Sequence, residues 1–509
     1  MQLYEHQEEA VAWMVQREHV PDRHMIRGGL LCDEMGLGKT RTCLATIYRR
    51  PVQTLVLCPL ALVGQWKREA MTVLKEFDVA VMYHPTDNVR MTERIIIMSH
   101  TCLTALHPEH EVFSFTFGRV IIDEGHKAKS TTSRLWRAVC DIDAICRWIV
   151  TGTPIVTTMI PARSAMSTAH KSKDLRAYLK MLQPAITLRE IREIEQSTEI
   201  QETIMKRRLK SIFQFTPLRI EVCQERLSTH EQAEYDAIYR EGTNIVSKIL
   251  SKNDRSGDEQ DEQTTNEESC QPSTLYECLE NLAETDGTDR TDRATGTVDD
   301  SGDSTDTQVD SKTGLDSLDS LLPILTKLRK FCATCPSKME LFEHDMRQMN
   351  YPHNRCLVFC SFHAEIQAAS QRARKHVPVV MEFHGGVSVQ ERTEMVDVFM
   401  SNDPSPMCMI VQIMCGGCGL NLQAAKHVFL LSPNWSAAFE DQAIARAHRL
   451  NTKHTVFVKK YIIEDSLESF MHTRSNQKRK TAQALLGDTV DSRHEPDTWT
   501  SGKLFESQL

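Results

Sequence analysis

The residues whose chemistry is easiest to read lie near the start of the chain. Asp33, Glu34, Met35, Gly36, Leu37, Gly38, Lys39 and Thr40 follow the apolar run Leu30–Leu31–Cys32 and precede Leu44 and Ala45. A strand, a glycine-containing loop and a helix start, in that order, make a phosphate cradle. Gly36 and Gly38 let backbone N–H groups approach phosphate oxygens, and the helix N-terminus adds positive potential. Lys39 reaches the β and γ phosphates of a nucleotide, and the Thr40 hydroxyl is a ligand for Mg2+. The spacing departs from G-x4-G-K-[ST], because Asp33 stands where the first glycine belongs. An ordinary glycine-rich turn is the alternative, and Lys39 and Thr40 directly after Gly38 weigh against it.

A second group, Asp123–Glu124–Gly125–His126, follows Val120–Ile121–Ile122. Two carboxylates at the C-terminal end of a strand are well placed to meet a phosphate loop. Asp123 is expected to hold Mg2+ through water and Glu124 to polarise the attacking water. A third group is Gln442, Arg446 and Arg449. Their spacings of four and three residues put them on one face of a helix, so one helix is expected to present both guanidiniums. Arginines so placed neutralise charge developing on a γ-phosphate. By themselves these residues support a nucleoside triphosphatase and nothing finer.

Such groups need rigid elements behind them. Short apolar runs recur at Thr54–Cys58, Ile95–Met98, Val120–Ile122 and Trp148–Val150. They return at Cys356–Phe359, Val379–Met381, Met409–Ile413, Val428–Leu431 and Val456–Val458. Helix-like stretches such as Ala61–Leu74 and Val389–Phe399 lie between them. Buried strands alternating with helices indicate parallel sheets covered on both faces. The fold class is therefore α/β, in two lobes. Between the lobes, residues 253–311 hold 18 acidic and 3 basic residues and almost no Ile, Phe or Val. Such a segment cannot bury enough apolar surface to offset its ordering entropy, so it reads as a disordered insert with a transient helix at Leu275–Leu282. The chain's net charge of −9 becomes +6 over the other 450 residues, a mildly basic body compatible with nucleic acid.

The 16 cysteines are scattered, many inside apolar runs, which fits free thiols in a reducing compartment. Cys332–Cys335 and Cys415–Cys418 have zinc-knuckle spacing, but core positions are the better reading and no zinc site is expected. No run of 18 apolar residues exists and the N-terminus has no apolar leader core, so neither a membrane span nor a secretory signal is expected.

The order of motifs resembles that of the Swi/Snf-family ATPases of helicase superfamily two. Leu3–Gln7 with Trp13–Met14 resembles the adenine-reading motif, which makes Gln7 an ATP-binding candidate. Asp33–Thr40 has the family's form of the phosphate loop, Asp33 included. Pro59–Leu60 with Gln65–Trp66, and Asp123–His126, resemble the next two motifs. Thr151–Gly152–Thr153–Pro154 resembles the one that couples hydrolysis to lobe movement. Lys206–Lys210 and Leu328–Lys330 resemble the family's helical extensions, the first near a DNA-facing protrusion. In the second lobe Leu357–Phe359, His384–Gly386 with Arg392, Gly416–Leu422 and Gln442–Arg449 resemble the remaining motifs, with Gly419 and Asn421 as coupling candidates. Ala425–Leu431 with Asn434–Trp435 and Glu440–Gln442 is most similar to the subgroup of helicase-like transcription factor and transcription termination factor two. The chain departs from the family at Ile155–Thr157, Ala445 and Asn451–Thr452, positions tied to coupling strength. The insert has only Cys270 and Cys278, too few for the zinc-binding RING that the subgroup often carries.

The resemblance implies a RecA-like lobe over 1–215 and helical extensions at 216–252 and 312–345 around the 253–311 insert. A second RecA-like lobe over 346–480 and a tail over 481–509 complete the expected plan. It implies ATP and Mg2+ as cofactors and double-stranded DNA as partner, with DNA-bound protein complexes as the objects moved. The implied activity is an ATP-dependent translocase. A strand-separating helicase and a nonhydrolysing DNA-bound scaffold are the alternatives. The location implied is the nucleus for a eukaryotic or viral chain and the cytoplasm otherwise. Arg474–Lys480 is a further basic stretch, readable as a solvated helix face or a weak nuclear import signal.

Overall fold

The apolar runs form strands, as their spacing led us to expect. The computed structural model describes residues 2–19, 25–75, 77–128, 130–154, 173–197, 203–213, 215–254, 275–280, 320–413, 420–450 and 452–485. In the first lobe the strands are β1 (Gly28–Leu31), β2 (Thr54–Cys58), β3 (Val79–Met82), β4 (Ile95–Ser99), β5 (Thr116–Asp123), β6 (Asp143–Val150) and β7 (Met205–Lys206). They form one parallel sheet in the order β3-β4-β2-β5-β6-β1-β7. Every residue of β1, β2 and β4 is buried, because helices such as Leu60–Val73 cover both faces. Burial of each large apolar side chain contributes about 1.5–3 kcal/mol.

The second sheet contains β8 (Leu218–Glu225), β9 (Arg355–Cys360), β10 (Val379–Phe383), β11 (Met407–Gln412), β12 (His427–Leu430) and β13 (Val456–Ile463). Its order is β10-β11-β9-β12-β13-β8, again parallel throughout. β8 corrects the expectation of a helical extension from residue 216. Its eight residues pair one for one with β13, and the helix begins only at Thr229. β8 lies at the sheet edge with only Glu221 and Cys223 buried and Arg219 and Gln224 exposed, so a search for continuous apolar runs passes over it.

Helices Thr229–Asp254, Leu322–Thr334 and Leu467–Leu485 pack together around Leu325, Leu328, Leu467 and Met471, while Pro336–Arg347 packs on the second sheet through Met339, Phe342 and Met346. Residues 275–280 form a helix in the same cluster, with Leu275 and Leu279 wholly buried and the Tyr276 hydroxyl 2.8 Å from that of Tyr235. That part of the acidic segment is therefore a packed element and corrects the reading of 253–311 as one disordered insert. Residues 255–274 and 281–311, where the rest of that expectation falls, lie outside the described residues, as does the tail beyond Leu485.

Candidate active site

Sheet order brings the first-lobe groups together. β5, β6 and β1 are neighbours, and Asp123 and Leu31 both stand level with Val150. The segments leaving those three strands are Glu124–His126, Thr151–Thr153 and the phosphate loop. Gly36 and Gly38 have φ of 92° and 79°, left-handed conformations that glycine adopts without penalty. Gly38 caps the helix Lys39–Arg49, so Lys39 and Thr40 occupy its first turn. The Lys39 ammonium donates to the carbonyls of Asp33 at 2.8 Å and Glu34 at 3.4 Å, which holds it across the loop mouth. A Cβ on Gly152 would lie 2.5 Å from Met35 Cγ and 3.2 Å from Lys39 Nζ. The absence of a side chain there lets the Thr-Gly-Thr turn touch the loop.

Asp123 and Glu124 are held differently. Trp66 Nε1 donates to Asp123 Oδ2 at 2.8 Å, and the Glu124 amide donates to Oδ1 at 2.9 Å. Burial, and next the charge of Glu124, push the Asp123 carboxyl up to about 7. Glu124 has φ of 51°, strained for a residue with a Cβ and typical of sites where function dictates geometry. Burial alone would raise it, but His126, Lys39 and Arg446 hold it down at about 2. His126 Nδ1 lies 3.3 Å from Glu124 Oε2, 3.2 Å from Thr151 Oγ1 and 3.5 Å from Thr153 Oγ1. The Thr153 amide donates to Thr151 Oγ1 at 3.1 Å. The carboxylate pair and the turn expected to couple hydrolysis to movement are thus joined through one imidazole.

Gln7 is buried near the loop, but its amide donates to the carbonyls of Leu37 at 3.3 Å and Gly38 at 3.4 Å. It steadies the loop backbone in this state. Asp33 is also buried, and its carboxylate is forked by Arg208 at 2.9 and 2.5 Å. The structure thereby gives a reason for Asp33 in place of glycine. The same contact corrects the reading of Lys206–Lys210 as a helical extension at a DNA-facing protrusion. Lys206 belongs to β7, which pairs with β1. Arg207 donates to Cys32 O at 2.9 Å, Arg208 also donates to His6 O, and the Lys210 amide donates to Glu34 Oε2 at 2.6 Å. This run braces the phosphate loop from behind. Arg208, Lys210 and the Trp66 donor were not assigned these roles from sequence. Only the pairing of Asp33 with a distant basic cluster could have signalled them.

The second lobe meets this site. The helix Ala437–Ala447 carries Gln442 and the buried Arg446, whose charge acts on Glu124. The helix stops at Ala447, and His448 is already extended. Arg449 therefore does not share a helix face with Arg446, contrary to the expectation from spacing. It reaches the site from the following turn, donating to Leu420 O at 2.6 Å and Ala445 O at 3.3 Å. Burial and the neighbouring Arg446 push its guanidinium down to about 9. A Cβ on Gly36 would lie 3.7 Å from His448 O and 3.9 Å from Arg449 Cα, so this turn rests on the phosphate loop. Of the coupling candidates, Asn421 is exposed and Gly419 lies outside the described residues, with Cys415 and Cys418. Cys332 and Cys335 are buried in the helical cluster.

The residues fit a metal nucleotide. Among the described residues Gln442 Nε2 is buried without a hydrogen-bond partner, and Glu124 Oε2 is buried with His126 Nδ1 at 3.3 Å. Among the described residues no cluster of three or more metal-ligating side chains occurs. Mg2+ takes one or two protein oxygens and fills its shell with phosphates and water.

The SNF2-related domain model matches residues 6–335, and the helicase conserved C-terminal domain model matches residues 337–451. A probable global transactivator of Orgyia pseudotsugata multicapsid polyhedrosis virus is 24% identical over 94% of this chain and 90% of that protein. Helicase-like transcription factor of Homo sapiens is 23% identical over 87% of this chain, and DNA repair protein rad8 of Schizosaccharomyces pombe is 23% identical over 87%. The chain spans about half the length of these last two, 51% of each. The SWI2/SNF2 ATPase core of Sulfolobus solfataricus, solved in complex with dsDNA, aligns over 96% of this chain and 93% of that one. Its identity is 18% and its TM-score 0.38.

Proposed function

From the premise that the chain belongs to the SNF2-related family, with a helicase conserved C-terminal domain after it, we propose that it is a DNA-dependent ATPase that translocates on duplex DNA. The observation that supports this most is the seating of the His448–Arg449 turn on Gly36, which brings second-lobe arginines to a first-lobe phosphate loop. Lys39 binds the β and γ phosphates, Glu124 orients the attacking water, and Arg446 and Arg449 offset charge developing on the γ-phosphate. Mg2+, when held by Thr40 and Asp123, supplies positive charge to the phosphate oxygens. His126 carries the position of Glu124 to Thr151 and Thr153.

The DNA preference rests on family membership and on the relatives named for DNA repair and transcription. Contacts mainly to phosphate would make binding sequence-independent and salt-dependent. Displacement of DNA-bound proteins is the work such movement does, and the nucleus is the compartment it suits. ATP hydrolysis measured without DNA, with single strands and with duplex tests the reading. Stimulation greatest with duplex is expected. Equal rates in all three would remove the translocase, and absence of turnover would favour a DNA-bound scaffold.

A further inference from the structure

The two lobes are joined by the stretch that also braces the phosphate loop, and Lys210 stands in the middle of it. On the first-lobe side, the stem of the loop is bonded to this stretch residue by residue. Cys32 N donates to Lys206 O at 2.7 Å, Glu34 N to Arg208 O at 2.8 Å, and Lys210 N to Glu34 Oε2 at 2.6 Å. On the second-lobe side, His448 Nε2 lies 2.8 Å from Thr216 O, and the rings of Phe215 and His448 are 5.2 Å apart. Val456 N donates to Pro217 O at 3.0 Å, and β8 begins at the next residue.

The Lys210 side chain bridges these two sides. Its Cε lies 3.6 Å from the position a Cβ on Gly36 would take, and its ammonium sits 5.5 Å from the centre of the Phe215 ring. Glu34 and Asp441 attract its charge, while Lys39 and Arg449 repel it. Three cations from two lobes are thus gathered around one loop, partly shielded from water. With the turn seated on the loop, Glu34 and Asp441 offset part of the mutual repulsion of these cations. A bound triphosphate brings several negative charges to Lys39, and the same three cations then favour closure.

We propose that Lys210 is a positioning residue of the ATPase site, a charged strut that seats the His448–Arg449 turn on the phosphate loop when phosphates are bound. The inference rests on the ATPase reading above. It assigns to the crossover between lobes a task beyond tethering. Nucleotide occupancy is felt at Gly36 and Lys39, and Lys210 with Phe215 passes it to the arginine turn.

The test compares wild type, Lys210→Arg and Lys210→Met in duplex-stimulated ATP hydrolysis, with KM and kcat resolved. Energy transfer between dyes on the outer surfaces of the two lobes is read with and without ADP–beryllium fluoride. Lys210→Met is expected to lose about tenfold or more in kcat with KM within about threefold, and to lose the analogue-induced change in transfer. Lys210→Arg, which keeps the charge, is expected to restore both. Wild-type kcat in Lys210→Met, or equal impairment in Lys210→Arg, overturns the proposal. Should Lys210→Met not fold, Phe215→Leu removes the ring beneath the ammonium. A fall in kcat at constant KM supports the strut, and an unchanged kcat overturns it. A wild type that hydrolyses no ATP would instead remove the underlying ATPase reading.

Discussion

At the residue scale, Lys39 and Glu124 are expected to separate binding from turnover. Lys39 is the ammonium held across the loop mouth, so Lys39→Ala is expected to abolish nucleotide binding or turnover, read by fluorescent-nucleotide titration and phosphate release. Glu124→Gln keeps Asp123 and its Trp66 bond, so it is expected to bind ATP and turn over slowly. Loss of ATP binding in that variant would make Glu124 structural. His100 offers a pH test. Burial, and then the charge of Lys127, push it down to about 3, so it is neutral in the fold. The unfolded chain, with an ordinary imidazole near 6.5, takes up the proton first. Stability present above about 6.5 is therefore lost as pH falls toward 3, at up to about 1.4 kcal/mol per pH unit. Urea midpoints at two pH values should shift less for His100→Phe than for wild type. Equal shifts would place the acid sensitivity elsewhere. Most of these groups were legible as types and spacings, since Gly36, Gly38 and Lys39 fall within one short loop and Asp123 and Glu124 are adjacent. Arg208 and Lys210 were not, because their partners Asp33 and Glu34 lie 175 and 176 residues away.

At the scale of elements, legibility followed burial. Strands buried on both faces, such as β2, β4 and β9, are continuous apolar runs and were read with boundaries close to those found. The edge strand β8 and the two-residue β7 carry no such run, and tertiary pairing alone defines them. The end of the arginine helix was missed for a related reason. Spacing shows which residues would share a helix face but not that the helix stops at Ala447. Residues 275–280 show the opposite error, in which acidic composition concealed two anchoring leucines. Leu275 and Leu279 are wholly buried, and Glu280 pairs with Arg474 at 3.1 Å and Lys478 at 3.0 Å. Those pairs also remove much of the free basic face expected for Arg474–Lys480, as does Arg479 with Asp441 at 2.8 Å. Leu275→Ala and Leu279→Ala are each expected to cost about 2–5 kcal/mol in denaturant unfolding. Replacing only 255–274 and 281–311 with short linkers should leave ATP hydrolysis near wild type. The converse pattern would mean the flanking acidic stretches, not the leucines, carry the structure.

At the scale of the molecule, the proposed mechanism makes hydrolysis require both lobes, because one supplies the phosphate loop and the other the arginines. The chain's +6 outside its acidic segment is spread over both lobes and is compatible with a polyanionic track. The measurement closest to the central claim is ATP binding and steady-state hydrolysis of Arg446→Ala and Arg449→Ala with saturating duplex DNA. The two-lobe account predicts nearly intact ATP binding and turnover lower by roughly 10³ or more in Arg449→Ala, with no rescue by duplex. Wild-type hydrolysis in both variants with DNA present would contradict it.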